Sequence, residues 1–89
     1  MFVFDHYTIE TSQWVLKKIS DRGFSRLDVE LAIYTSDDPA VQDHPDHTPP
    51  ETWLFIGESL NGTTVEVYVT PLHEAKVLAV KSLFIFEEP

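Results

Sequence analysis

Residues 14–29, WVLKKISDRGFSRLDV, constrain the fold of this chain more than any other stretch. They read as a helix, its stop and the immediate start of a second helix. Thr11 or Ser12 supplies the side-chain oxygen that caps the first helix, by accepting a hydrogen bond from one of its orphan backbone N–H groups. Val15, Leu16 and Ile19 give that helix an apolar stripe. Gly23 falls where a left-handed residue ends a helix, and Phe24 follows at the position that packs back on Ile19. Ser25 and Asp28 then form a capping box, with Asp in place of the usual Glu. Leu27, Leu31 and Tyr34 recur at i, i+4 and i+7, flanked by Val29 and Ile33, and are expected to face the core. The reading is two helices over 12–22 and 26–35, joined by a tight turn.

The remainder is strand and loop. Residues 2–9, FVFDHYTI, are rich in aromatic and β-branched types and are expected to form a first strand or extended arm. Residues 36–51 hold Pro39, Pro45, Pro49 and Pro50 with five acids, a composition that predicts a long flexible loop without regular structure. Trp53–Ser59 reads as a strand in which Gly57 marks a bulge. Asn61-Gly62 signals a type I′ hairpin. Val65, Val67 and Val69 alternate with Glu66, Tyr68 and Thr70, the period of a half-buried strand. A turn over 71–76 leads to Val77–Phe86, whose continuous apolarity predicts burial on both faces. The fold class is α+β: an N-terminal strand or arm, two helices, then a three-stranded antiparallel meander with the helices on one face, in a single domain of 89 residues.

Charge limits the partners. Fifteen acids against six bases give a formal charge of −9, which repels nucleic-acid phosphates and anionic lipid as a whole. The bases are concentrated, however: Lys17, Lys18, Arg22 and Arg26 stand against Asp21 alone in their stretch, whereas 37–51 is purely acidic. No cysteine excludes a disulfide framework and Cys-based zinc sites. The N-terminus lacks a basic n-region and a long apolar h-region, and no run approaches a membrane span, so a cytoplasmic protein without membrane association is expected.

The segment WVLKKISDRGFSRLDVELAI resembles the helical signature of a small bacterial toxin-like family related to the BrnT toxins and, more distantly, to the RelE/ParE group. That signature reads His-Ala-x-x-Arg-Met-x-x-Arg-Gly-Ile-Ser-x-x-Asp-Val. This chain keeps Arg22, Gly23, Ser25, Asp28 and Val29. It has Phe24 for Ile, Lys18 for the first Arg and Trp14 for the His. WLFIGESLNGTTVEVYVTP and KVLAVKSL look like the family's hairpin and last strand, with Lys81 where His or Thr is common. The resemblance implies a component of a toxin–antitoxin system, neutralised by a cognate antitoxin-like or other protein partner. It also implies a metal-independent endoribonuclease without cofactor. Lys18, Arg22 and Lys81 would supply the cations around the scissile phosphate, Glu66 or Tyr68 the proton transfer, and Lys17 and Arg26 further RNA contacts.

The departures support a rival reading. The helix His is missing, strand arginines are absent, and the net charge opposes RNA. A non-catalytic protein-binding or regulatory module is the alternative, as is an acidic mimic of nucleic acid acting as an inhibitor through the 36–51 acids. Trp14 and Trp53 are expected in the core; an exposed Trp14 would anchor a partner protein. Asp43, His44, Asp46 and His47 have metal-compatible chemistry, but their setting reads as a solvated loop and no metal site is assigned. His6 and His73 are isolated and read as surface residues. No phosphate-cradling glycine loop, nucleophile elbow or zinc-protease motif occurs.

Overall fold

The computed structural model describes residues 4–36, 40–43 and 51–87, with the backbone alone for 40–43. Elements follow in the order β1 (Thr8–Glu10), α1 (Gln13–Asp21), α2 (Arg26–Thr35), β2 (Ala40–Asp43), β3 (Glu51–Glu58), β4 (Thr64–Leu72) and β5 (Val77–Ile85). The strands form one mixed sheet in the order β1-β5-β4-β3-β2. β1 runs parallel to β5, and every other pair is antiparallel. The expected meander is therefore the centre of a five-stranded sheet.

Local chemistry sets the helix pair. The Ser12 hydroxyl accepts from the Val15 N–H. At the far end of α1, Phe24 N–H donates to the Ile19 carbonyl and Gly23 N–H to that of Ser20, the two bonds of a Schellman ending, with Gly23 at φ 89°. Ser25 N–H then donates to the Asp28 carboxylate at 2.7 Å, while Asp28 N–H donates to the Ser25 hydroxyl. The second oxygen of Asp28 reaches out of the helix and accepts the Leu60 N–H at 2.8 Å. Burial pulls the Asp28 pKa upward. The Leu60 and Ser25 N–H groups and the Ser25 hydroxyl outweigh it and hold the group below its ordinary 3.8.

The core joins Ile19 of α1 and Val29, Ala32 and Ile33 of α2 to Phe55, Val65, Val67, Val69, Leu78, Val80 and Leu83 of the sheet. α1 packs along β5 and α2 across β3 and β4. The α2 stripe expected in the core is overturned. Asp28, Val29, Ala32 and Ile33 are the buried residues, and Leu27 and Tyr34 face solvent at 61% and 62% exposure. Helix α2 carries apolar residues on two sides, and the sheet takes only one of them.

Other corrections concern the strands. Residues 4–6 form a turn rather than strand, with Tyr7 N–H donating to the Phe4 carbonyl and His6 at φ 70°; this folds the Phe4 ring into the core. Ala40–Asp43, a proline-free window within the stretch expected to lack regular structure, pairs with Glu51–Leu54 as β2. Gly57 lies in unbroken register with Val65 and marks no bulge. It is the point where α2 crosses β3, since a Cβ there would overlap the Ala32 carbonyl oxygen. At the hairpin, Asn61 keeps a negative φ and only Gly62 is left-handed. Gly62 N–H donates to the Ser59 carbonyl and Ser59 N–H to that of Thr63, a type I turn closed by a glycine bulge rather than type I′. The Asn61 side chain holds this form by accepting from the Ser59 hydroxyl and the Thr63 N–H.

β5 is not buried on both faces. Val69 pairs with Val80 but Tyr68 with Ser82, so Lys81 is the extra residue of a bulge. Leu78 and Val80 point inward before it, and Leu83 points inward after it. Two alternating patterns placed out of phase produce the continuous apolar run.

Candidate functional site

The first turn of α1 leaves Trp14 on the helix surface, 69% exposed, which overturns the expectation of a core position. Trp14, Lys18 and Arg22 follow at i, i+4 and i+8 and share one face. The Lys18 ammonium lies 5.0 Å from the centroid of the Trp14 ring. At the end of the helix, the Arg22 guanidinium lies 4.4 Å from the centroid of Phe84 and donates to the Leu83 carbonyl at 3.1 Å. β1 covers only Val77–Ala79 of β5, so Leu83 is on the open part of that edge. Arg22 caps it, and an edge with an occupied carbonyl is a poorer template for another strand.

From Phe84 the line continues onto the sheet face turned away from the core. Phe84 and Tyr68 meet edge to face with centroids 6.2 Å apart, and the Tyr68 hydroxyl donates to Glu66 at 3.4 Å. Burial, then the Glu66 charge and the hydrogen bond to it, push the Tyr68 pKa up from 10.0. Its phenol stays protonated at neutral pH. Of the expected catalytic residues, Lys18, Arg22, Tyr68 and Glu66 thus fall along one strip, with Trp14 and Phe84 interleaved. The negative face of an aromatic ring attracts a cation placed over it.

Lys81 leaves this set. At the bulge it lines a groove of about 420 Å³ between β1, the start of α1 and the β5 edge, together with Glu10, Thr11, Ser12, Val15 and Arg26 among others. Arg26, expected to contact RNA with Lys17, lines the same groove. Lys17 is exposed on α1 and belongs to neither arrangement. Of the residues considered for a metal, His44, Asp46 and His47 lie outside the described residues. Among the described residues no cluster of three His, Asp or Glu side chains is suited to hold a metal ion. Nor is any helix of theirs long and apolar enough to cross a membrane.

A third arrangement has no signal in the sequence. The Tyr7 hydroxyl lies 2.6 Å from His73 Nδ1, His73 Nε2 lies 2.8 Å from Glu51, and Trp53 Nε1 donates to the other Glu51 oxygen at 2.8 Å. A carboxylate only accepts, so Nε2 carries the proton of the neutral ring and Tyr7 donates to Nδ1. The Trp53 bond, then the His73 bond, hold the Glu51 pKa below 4.5. A hydroxyl, an imidazole and a carboxylate in series can activate the hydroxyl. Here the Tyr7 ring packs against the core and edge to face with Phe4, and the series fastens the N-terminal turn to β3 and to the β4–β5 turn. Residues 66 and 22 positions apart build it, beyond the reach of any local pattern.

Comparison with models of known families, with curated proteins and with solved structures returned no match.

Proposed function

We propose that this chain is a toxin-like protein of the toxin–antitoxin type that holds single-stranded RNA along the strip Trp14–Lys18–Arg22–Phe84–Tyr68. The observation that carries the reading is the run of three rings and two cations that passes from α1 round the β5 edge onto the outer sheet face of an otherwise acidic molecule. Rings offer stacking surface for unpaired bases, worth about 1–3 kcal/mol per base, and cations between them track the phosphates. The resemblance of WVLKKISDRGFSRLDV to the toxin-like signature supports the same assignment.

Cleavage is the lesser part of this function. In-line attack by a 2′-hydroxyl needs a base on one side of phosphorus and an acid on the other. Glu66 and Tyr68 are hydrogen-bonded neighbours on one strand, so Tyr68 orients Glu66 rather than opposing it. Glu66 takes the 2′-hydroxyl proton, the 2′-oxygen bonds to phosphorus, and the 5′-oxygen leaves with a proton from water. The products are a 2′,3′-cyclic phosphate and a 5′-hydroxyl. The donors of Arg22 not used on Leu83 steady the phosphate.

Fluorescence anisotropy with a labelled single-stranded RNA tests the reading. Trp14→Ala and Lys18→Ala are each expected to weaken binding about tenfold, the loss of roughly one stacking or charge-assisted contact. Glu66→Gln is expected to abolish cyclic-phosphate formation and leave binding intact. Binding that neither Trp14→Ala nor Lys18→Ala changes overturns the assignment.

A second reading, binding of a protein partner, is favoured by the outer side of α2. Leu27, Tyr34 and, through the Asp28–Leu60 bond, Leu60 expose large apolar side chains there. Glu30 and Glu58 lie close by, which suits a partner whose apolar surface has a basic rim. In a toxin-type pair this is where the neutralising protein would sit, leaving the RNA strip on α1 to be covered or opened separately.

A further inference from the structure

We propose that the groove between β1, the start of α1 and the β5 bulge is a binding site for a phosphate monoester. Two cations line it, Arg26 from the first turn of α2 and Lys81 from the bulge. They come from segments far apart in sequence and are brought together by the fold. Among the described residues neither forms an ion pair, although acids outnumber bases fifteen to six along the chain. Two cations left unpaired in one concavity of so acidic a protein are a standing attraction for an anion.

The other lining groups fit the same ligand. Ser12 presents a hydroxyl whose oxygen already accepts from Val15, leaving its proton to donate. Thr11 also lines the groove, with its Oγ1 buried beneath the surface. A phosphate offers several acceptor oxygens around one centre, enough for a guanidinium, an ammonium and hydroxyl donors at once. Glu10 is the one carboxylate in the lining. It disfavours a bare anion but accepts from a hydroxyl or amino group attached to one, so an ester is preferred over free phosphate. Ile9, Val15, Ala79 and Val80 give the groove an apolar floor for the esterified group, and its volume, about 420 Å³, is that of a small-ligand site.

Two sources offer this chemistry, a mononucleotide and the phosphorylated end of an RNA strand. Backbone amide NMR of the full chain decides between them and tests the site itself. Inorganic phosphate is the first probe. Saturable shifts are expected at Thr11, Ser12, Arg26 and Lys81, and each of Arg26→Ala and Lys81→Ala is expected to weaken them about tenfold, with Lys17→Ala unchanged. A mononucleotide binding at least about tenfold tighter than phosphate assigns the former source. A 5′-phosphorylated oligonucleotide exceeding its 5′-hydroxyl counterpart by a similar factor assigns the latter. No shifts at these amides, or shifts that survive both groove substitutions, overturn the proposal. Because Trp14 and Lys18 lie outside the groove, their substitution leaves the phosphate shifts in place whether or not the RNA strip is real.

Discussion

Helices α1 and α2 have nearly the same length, nine and ten residues, and use their surfaces in opposite ways. α1 buries one residue, Ile19, and gives most of its surface to Trp14, Lys17, Lys18 and other exposed groups. α2 buries Asp28, Val29, Ala32 and Ile33 and still shows Leu27 and Tyr34 to solvent. The first is anchored lightly at a sheet edge and is suited to meeting charged ligands. The second is clamped to the middle of the sheet and carries a surplus of apolar surface. A helix so firmly seated can present an apolar outer side without loss of its position, which is what a rigid docking ridge requires.

The two glycines at these helices give the sharpest break between them. Gly57→Ala places a methyl group into the Ala32 carbonyl under α2 and is expected to destabilise the fold by on the order of 3 kcal/mol. Gly23→Ala after α1 meets no atom within 4 Å and pays only for its positive φ, about 1 kcal/mol. Urea denaturation of both variants measures the difference; equal losses would mean that α1 is held as tightly as α2. Within α2 the two sides separate in the same way. Ile33→Ala is expected to lower stability by about 2–5 kcal/mol and Leu27→Ala by less than about 0.5 kcal/mol. A large loss in Leu27→Ala would show the outer side to be part of the folded core.

The smallest effect is the most specific. Asp28 has a folded pKa below its unfolded value, so its stabilisation is present above about pH 4 and is lost as pH falls through the lower folded value. Asp28→Asn is expected to be less stable than the parent at neutral pH and to lose less on acidification. Unfolding midpoints at about pH 7 and about pH 3 test this, and parallel losses in the two proteins would remove the carboxylate from the account.

Caps and turns act over three or four residues, and that is why the helix pair was legible in the sequence. Ser12, Gly23, Phe24, Ser25 and Asp28 each do locally what their types announce. The inner face of α2 was not legible, because a helix apolar on two sides has no single stripe to read. Leu27, Leu31 and Tyr34 made the tidier pattern, and the sheet selected the other one, where Ala32 is small enough to let the helix approach Gly57. β5 misled in a related way: a bulge joins two good alternations into one run that looks fully apolar. For the candidate site, the residue types of the strip were readable, but its order was not. Phe84 becomes the link between Arg22 and Tyr68 only when α1 is laid along β5. Lys81 and Arg26 are brought together in the groove, and Tyr7, His73 and Glu51 in their series, by tertiary structure alone.

The extra residue in β5 works like a splice between two reading frames. Upstream of Lys81 even-numbered positions supply the interior; downstream the odd-numbered Leu83 does. Either half of the strand can therefore be rewritten without its change of phase spreading to the other. Removing Lys81 alone would fuse the two frames into one regular alternation, with Leu83 still inward and Phe84 still outward, and would take a cation from the groove with one codon.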